Sequence, residues 1–255
     1  MSIIRKLLPS GLVEHYRAER EKAKMHARRV AFYRLFLSEG DLVFDIGANI
    51  GERVAALLDV GCRVVAVEPQ EECCALIRSL KAKPDSLHVV PKACGATTGS
   101  AELKSGSGTD VLATISEEYI STVAKSGRFG AHSWEKTRTV PVCTADDLVR
   151  EFGTPRFIKI DVEGFEVPVL EGLNVAPEIL SFEFTPEMAA AMQVCVGHCE
   201  RLGLVEFNIS YGESMRFARD EWITASRMRE TVNVLDGDSS LFGDIFARKS
   251  GQLTG

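Results

Sequence analysis

Short apolar runs alternate along this chain with longer segments in which polar and apolar positions repeat at helical spacing. Apolar runs of this kind, bounded by turn residues, predict buried strands, and the segments between them predict helices. The predicted strands cover 42–45, 63–67, 87–91, 138–142, 157–161, 179–184, 205–209 and 240–247, and 101–103 could form a short hairpin strand. Because helices separate these strands, the pattern predicts a parallel α/β sheet, whose ligands bind at the carboxyl ends of its strands.

The first predicted strand ends in Asp45 and leads into a loop that contains Gly47, Asn49 and Gly51. Glycines suit a loop that turns sharply and lets a ligand approach the backbone. The second predicted strand ends in Glu68, where a carboxylate is placed to accept hydrogen bonds from the two hydroxyls of a ribose. Together these features predict a cofactor that contains adenosine.

The charge beside this loop distinguishes between cofactors. A dinucleotide-binding loop reads Gly-x-Gly-x-x-Gly, because the N-terminus of its helix holds a pyrophosphate. Here Asn49 stands in place of the second glycine, and the Asp45 carboxylate would repel pyrophosphate. A carboxylate instead suits S-adenosylmethionine, which carries a cationic centre and an ammonium group. A nicotinamide-dependent oxidoreductase is therefore the disfavoured enzyme class, and a cofactor-binding module without catalysis is the alternative that is not an enzyme.

A second motif reads Phe157-Ile-Lys-Ile-Asp-Val-Glu-Gly-Phe-Glu-Val-Pro-Val-Leu-Glu-Gly172. Together with Asp45-Ile-Gly-Ala-Asn-Ile-Gly51, it closely resembles the signature of the FkbM family of S-adenosylmethionine-dependent methyltransferases. The resemblance implies a class I, Rossmann-like fold with a mostly parallel seven-stranded sheet and helices on both faces. It runs from about 41 to 249, which leaves an N-terminal helical extension over 1–40. It also implies methyl transfer to a hydroxyl oxygen of a small-molecule or carbohydrate-like acceptor.

The same resemblance implies which residues contact S-adenosylmethionine, and these agree with the interpretation from charge: Asp45, Gly47, Asn49, Gly51 and Glu68. Lys92, just beyond the end of the third predicted strand, joins the predicted cofactor-binding residues by its position.

Asp161 and Glu163, at the end of the 157–161 strand, are the predicted catalytic residues and would face the transferred methyl group. A carboxylate there can take the proton from an acceptor hydroxyl. No further acid stands beside this loop in the sequence to complete a divalent-cation site, so we predict no metal, although a distant acid such as Glu183 could fold nearby. Lys159 lies on the same strand face as Asp161, and we expect it to pair with an acid such as Glu183.

Residues 104–138 contain several glycines and match no part of the family pattern. A connection of this length within a compact domain is usually functional or mobile. We predict that it forms a mobile cover over the acceptor, within a methyltransferase domain that spans 41–249. The alternative is a disordered surface excursion without a role.

The composition of the chain limits the classes of partner and the compartment that we expect. The formal net charge of −6 argues against a nucleic-acid partner, because such proteins normally carry a basic surplus. No apolar run is long enough to span a membrane. The seven cysteines do not form a paired framework, which favours a reducing compartment. We therefore expect a cytoplasmic enzyme that acts on a small-molecule or glycan-type acceptor, with its oligomeric state left open.

Overall fold

The computed structural model describes residues 10–126, 130, 132–235 and 241–251, which form eleven strands and eight α-helices. The strands are β1 (Leu42–Ile46), β2 (Arg63–Val67), β3 (Leu87–Val90), β4 (Ala93–Cys94), β5 (Gly99–Ser105), β6 (Lys136–Cys143), β7 (Phe157–Ile160), β8 (Ile179–Phe184), β9 (Glu206–Tyr211), β10 (Ile223–Thr224) and β11 (Gly243–Arg248). The helices are α1 (Ser10–Tyr33), α2 (Glu52–Val60), α3 (Glu71–Arg78), α4 (Glu117–Ser126), α5 (Ala145–Phe152), α6 (Glu166–Glu171), α7 (Ala189–Arg201) and α8 (Ala225–Leu235).

The main sheet has the strand order β10-β9-β11-β8-β7-β1-β2-β3. Strands β3, β2, β1, β7 and β8 are parallel to one another, and β11 is antiparallel to both of its neighbours. The predicted Rossmann-like α/β fold is therefore confirmed. The predicted count of seven strands is wrong, because β10 pairs with the start of β9 as an eighth strand. Two residues are too few to produce a recognisable pattern. The predicted 240–247 strand begins at Gly243, and residue 240 lies outside the described residues.

A second, smaller sheet of order β4-β6-β5 lies between β3 and α5 in the chain. Its strands β5 and β6 border the segment that the sequence marked as a cover, and they pair with each other from Gly99 to Ser105. An isolated bridge between Lys104 and Thr114 then brings the chain back over the end of β5. Both ends of this segment therefore belong to the smaller sheet, and its first part is bridged to β5 at Thr114.

Alternating strand residues build two cores on opposite faces of the main sheet, as the two-residue period of a strand requires. Phe44 and Ile158 face a core that also contains residues of α5, α6, α7 and α8. Phe157 of β7 and Phe246 of β11, whose rings stack on each other, face a second core with α1, α2 and α3. On that side Phe36, just after α1, packs edge-on against Phe157 with ring centroids 5.3 Å apart. The predicted N-terminal helix thus packs against the domain core.

None of the described helices is both long and apolar enough to cross a membrane. All seven cysteines are buried free thiols.

The loop after β1 lies very close to the loop after β7. Gly47 has φ +85°, and a Cβ built on it would lie 1.7 Å from the carbonyl oxygen of Asp161. The backbone amides of Gly47 and Ala48 also donate to the carbonyl of Val67, at the end of β2. The absence of a side chain at Gly47 is therefore what lets three strand ends converge on one point.

We expect Gly47→Ala to destabilise the protein by more than its backbone conformation alone explains. Gly40 is the matched control, because it has φ +88° and nothing within 4 Å of its Cβ position. Gly40→Ala should cost about 1–2 kcal/mol of left-handed strain, and Gly47→Ala about 1–3 kcal/mol more from the clash. Urea unfolding of both variants measures the difference. Equal losses of stability in the two variants would show that the close approach of Gly47 to Asp161 does not affect the free energy of unfolding.

Candidate active site

One cavity of about 640 Å³ opens at the carboxyl ends of β1, β2 and β7. The predicted site residues that line it are Asp45, Gly47, Asn49, Glu68, Lys92, Asp161 and Glu163. Gly51 is not among the lining residues. It has φ +84° at the start of α2, and a Cβ there would meet the side chains of Ile77 and Leu80 at about 3 Å. The structure therefore explains Gly51 by packing of α2 against α3.

Asp45 is the buried acid at the end of β1. Its side chain is 1% exposed, and neither carboxylate oxygen has a hydrogen-bond partner within the described part of the chain. Burial raises the pKa of Asp45, while the charges of Lys159 and Arg53 oppose that rise. Because a buried carboxyl group without partners is costly, this position requires a donor or a positive charge from a ligand.

Glu68 holds the glycine loop and the start of α3 at the same time. One carboxylate oxygen accepts from the backbone amide of Asn49 and the other from that of Gln70, each at 2.8 Å. Burial, only partly offset by these hydrogen bonds, raises the pKa of Glu68 to about 7. Each oxygen keeps a second lone pair, so both can still accept from a ligand hydroxyl.

Asp110 and Gln70 complete this wall, and the sequence pattern did not identify either of them. The side-chain amides of Asn49 and Gln70 donate to the Asp110 carbonyl at 3.2 and 2.9 Å, and the Asp110 amide donates back to Gln70 at 3.0 Å. The segment predicted as a cover thus lies against the glycine loop and lines the cavity. Its position after the third strand was the only indication in the sequence. Its mobility stays a prediction.

Lys159 pairs with an acid, as expected, but the partner is Asp161 and not the example Glu183. The Lys159 Nζ atom lies 2.5 Å from Asp161 Oδ2, because Asp161, directly after β7, projects from the same face as Lys159 two residues before it. Burial alone would raise the pKa of Asp161, yet the charges of Lys159 and Arg53 hold that pKa below its ordinary value. Asp161 is therefore an ionised carboxylate with a fixed partner.

Glu183 joins Asp161 and Glu163, and it is the distant acid that the sequence analysis named as able to fold beside this loop. One oxygen from each of the three carboxyl groups lies within 4.8 Å of the others. Burial, reinforced by the neighbouring acids, raises the pKa of Glu183 well above its ordinary value. Burial and the Asp161 charge raise the pKa of Glu163 to about 8. The pKa shifts thus favour the ionised form of Asp161 and the protonated forms of Glu163 and Glu183.

The backbone and the cover segment fix Glu163 in place. Glu163 has φ +51°, an uncommon conformation for a residue with a side chain. The Thr114 hydroxyl donates to its carbonyl at 2.7 Å, and the Tyr119 hydroxyl donates to its carboxylate. Beneath it, Glu166 accepts from the backbone amides of Val162 and Gly164. A strained position held from several sides is typical of a functional loop.

Comparisons with known proteins identify the family of this chain. The methyltransferase FkbM domain model matches residues 45–221. The hexuronic acid methyltransferase AglP of Haloferax volcanii is 29% identical over 147 residues, which are 56% of this chain. The match covers 54% of that protein, so it spans about half of the relative's length.

Two solved structures resemble the fold more distantly. The precorrin-6y C5,15-methyltransferase of Geobacter metallireducens GS-15 is 12% identical, with 88% of this chain and 86% of that chain covered and a TM-score of 0.44. A SAM-dependent O-methyltransferase of Thermotoga maritima is also 12% identical, with 90% and 66% covered and a TM-score of 0.41. TM-scores below 0.5 give these two likenesses no weight for the function.

The family match begins at Asp45 and extends through Asp161, Glu163 and Glu183 to the chain beyond β9. It therefore contains the glycine loop, the Glu68 network, the cover segment and the acid cluster, and it covers more than half of the chain. The protein belongs to the methyltransferase FkbM domain family.

Proposed function

We propose that this methyltransferase uses S-adenosylmethionine and transfers its methyl group to a hydroxyl oxygen of a carbohydrate-like or other small acceptor. Membership of the family supplies the general activity. The observation that carries the choice of cofactor is the buried Asp45 carboxylate, which lines the cavity without a partner. The named activity of the relative AglP on a hexuronic acid supports a carbohydrate-type acceptor.

The residues around the cavity fit this cofactor. Asp45 offers an unpaired carboxylate to an ammonium group, and Glu68 offers one free lone pair on each oxygen to a ribose diol. The many acids nearby favour a ligand with net positive charge, and they would repel a pyrophosphate. When bound, S-adenosylmethionine supplies a methyl group on a sulfonium, which makes the methyl carbon electrophilic.

The chain's own contribution is to position the acceptor and to remove its proton. Orientation of two reactants alone can lower a barrier by about 7–11 kcal/mol. Glu163, with its pKa near 8, is a strong enough base to accept the hydroxyl proton when it is ionised, and the Asp161 charge strengthens it. We assign the proton transfer to Glu163 and the maintenance of its basicity to Asp161.

A reaction without metal is part of the proposal. The three acid oxygens are close enough to hold a cation. Lys159, however, already places an ammonium group 2.5 Å from Asp161, and a divalent ion would have to displace or repel it. The Lys159 ammonium group therefore supplies the positive charge that a metal ion would otherwise bring to these acids.

The direct test incubates the protein with S-adenosylmethionine and a panel of uronic acids, their glycosides and neutral sugars. Mass spectrometry should show that at least one acceptor has gained the mass of one CH2 unit. The product should survive mild alkali, as a methyl ether does. An alkali-labile product would place the methyl group on a carboxylate oxygen and contradict the hydroxyl assignment. Calorimetry that shows binding of NAD and none of S-adenosylmethionine would contradict the cofactor.

Glu68→Ala should weaken the binding of S-adenosylmethionine and S-adenosylhomocysteine alike. The variant loses the acceptor of two ribose hydroxyls, a loss of about 1–3 kcal/mol. Glu71→Ala, which removes an exposed acid from the first turn of α3, is the control and should change neither affinity. Calorimetric affinities for the Glu68 variant equal to those of the wild type would remove Glu68 from the cofactor site.

Asp161→Asn should lower turnover at least about 100-fold and leave the affinity for S-adenosylhomocysteine nearly unchanged, because the lost charge acts mainly on the proton transfer. Asp59→Asn, an exposed acid on α2, should leave both quantities unchanged. EDTA should have no effect on the wild type. Loss of activity in EDTA with recovery in magnesium would instead assign Asp161, Glu163 and Glu183 to a metal site.

The kcat/KM for methyl transfer should rise with pH and level off above about pH 8, because only the ionised form of Glu163 accepts a proton. The Tyr119 hydroxyl stabilises that ionised form, so Tyr119→Phe should move the inflection to higher pH. The measurement is kcat/KM between pH 6 and 10, because this ratio reports the pKa values of the free enzyme. A flat profile, or a Glu163→Gln variant with normal turnover, would exclude Glu163 as the base.

A further inference from the structure

Two arginines line the same cavity as Asp45, and the proposed reaction does not use either of them. Arg29 belongs to α1 and is 6% exposed, and Arg53 belongs to α2. The Nε atoms of both side chains are buried and have no hydrogen-bond partner among the residues that the structure describes. A run of charged residues on α1 is expected to be a solvated helix face, so the burial of Arg29 calls for a separate explanation.

The outer nitrogens of both guanidinium groups are already held. Arg29 Nη1 lies 2.7 Å from Glu52 Oε2, and its Nη2 lies 3.2 Å from one oxygen of Glu213. The second oxygen of Glu213 lies 3.0 Å from Arg53 Nη2. Glu213 thus spans the two arginines and keeps them side by side at the cavity wall.

The unsatisfied donors point to the chemistry of a ligand. An arginine has five N–H donors in a fixed plane, and such groups match the two oxygens of a carboxylate. Leaving a buried charged donor without a partner is costly. A carboxylate in the cavity would satisfy the free Nε donors, in the way that Glu213 satisfies the outer ones.

Asp45 and Arg53 are close enough to interact electrostatically, yet they do not hydrogen-bond to each other. Asp45, Arg29 and Arg53, which carry one unpaired carboxylate and two unpaired Nε donors, all line this one cavity. An α-amino-acid head group carries the complementary pair, an ammonium and a carboxylate on a single carbon atom. No simple sugar or nucleotide carries both of these charges.

We infer that Arg29 and Arg53 bind the carboxylate, and Asp45 the ammonium, of an α-amino-acid head group, which is the methionine end of the cofactor. This inference rests on the proposed use of S-adenosylmethionine and assigns residues to a part of it that the Glu68 network does not contact. Arg29 lies before the segment that the family model matches. The N-terminal helix therefore contributes to cofactor binding as well as to the core.

Calorimetry with three ligands separates the contribution of the ligand carboxylate from that of the ligand ammonium group. S-adenosylhomocysteine carries both groups, its decarboxylated analogue carries the amine alone, and 5′-methylthioadenosine carries neither. Each ligand is titrated into the wild type, Arg53→Gln, Arg29→Lys, Asp45→Asn and the control Arg28→Gln. Arg28 is the exposed neighbour of Arg29 on α1, so its variant makes the same change in net charge as Arg53→Gln.

Arg53→Gln should weaken S-adenosylhomocysteine about 10- to 100-fold relative to its decarboxylated analogue. Arg29→Lys, which keeps the charge and loses the planar group, should change the same ratio in the same direction and by less. Asp45→Asn should weaken both amine-bearing ligands relative to 5′-methylthioadenosine. Arg28→Gln should change none of these ratios, and thermal unfolding confirms that each variant is folded.

An unchanged ratio in both arginine variants, with normal binding of S-adenosylhomocysteine to the wild type, would overturn the inference. The alternative source of the carboxylate is the acceptor. If the arginine variants instead lose glucuronate binding to the complex with S-adenosylhomocysteine, the pair belongs to the acceptor site. Failure of the wild type to bind S-adenosylhomocysteine at all would refute the proposed function itself, a distinct result.

Discussion

The burial of like charges at the ends of β1, β7 and β8 is the constraint on which this site depends. Asp45, Asp161 and Glu183 converge there, and the Lys159 ammonium group is paired with Asp161. Burial raises the pKa values of Asp45 and Glu183, and the charges of Lys159 and Arg53 only partly oppose the rise at Asp45. The cavity is therefore best suited to a ligand that brings positive charge.

The same residues that hold the glycine loop also hold the segment over the cavity. Asn49 and Gln70 both bond to the Asp110 carbonyl, and Thr114 of the same segment bonds to the Glu163 loop. The cofactor wall and the proposed base are thus connected through one stretch of backbone between β5 and α4.

Much of this arrangement could be predicted from the sequence, because strand ends are a matter of pattern. An apolar run that ends in an acid places Asp45 and Glu68 at the sheet edge without knowledge of any contact. Gln70, Asp110 and Arg29 could not be found in this way. Asp110 acts on this wall through its backbone amide and carbonyl, which carry no residue-specific signature, and Gln70 acts mainly through a side-chain amide that belongs to no motif. Arg29 is one of many charges on a helix whose buried face depends on tertiary packing.

The pairing of side chains within the acid cluster could not be predicted from the sequence either. Lys159 can reach either a residue on its own strand or one on the neighbouring strand β8, and only side-chain geometry decides for Asp161. Glu183 lies in a strand whose register against β7 brings it beside the loop. Strand β10 escaped prediction for a simpler reason, since two residues contain no period.

The central claim is that a positively charged ligand satisfies an acid-rich cavity, and proton release on binding tests it most directly. A cation placed beside Asp45 and Glu163 lowers their pKa values, so protons must leave the protein. Calorimetry at pH 7 in two buffers of different ionisation enthalpy counts those protons. The account predicts a net release that is larger for S-adenosylmethionine than for S-adenosylhomocysteine, which lacks the sulfonium charge. Equal release for the two ligands, or net proton uptake, would contradict it.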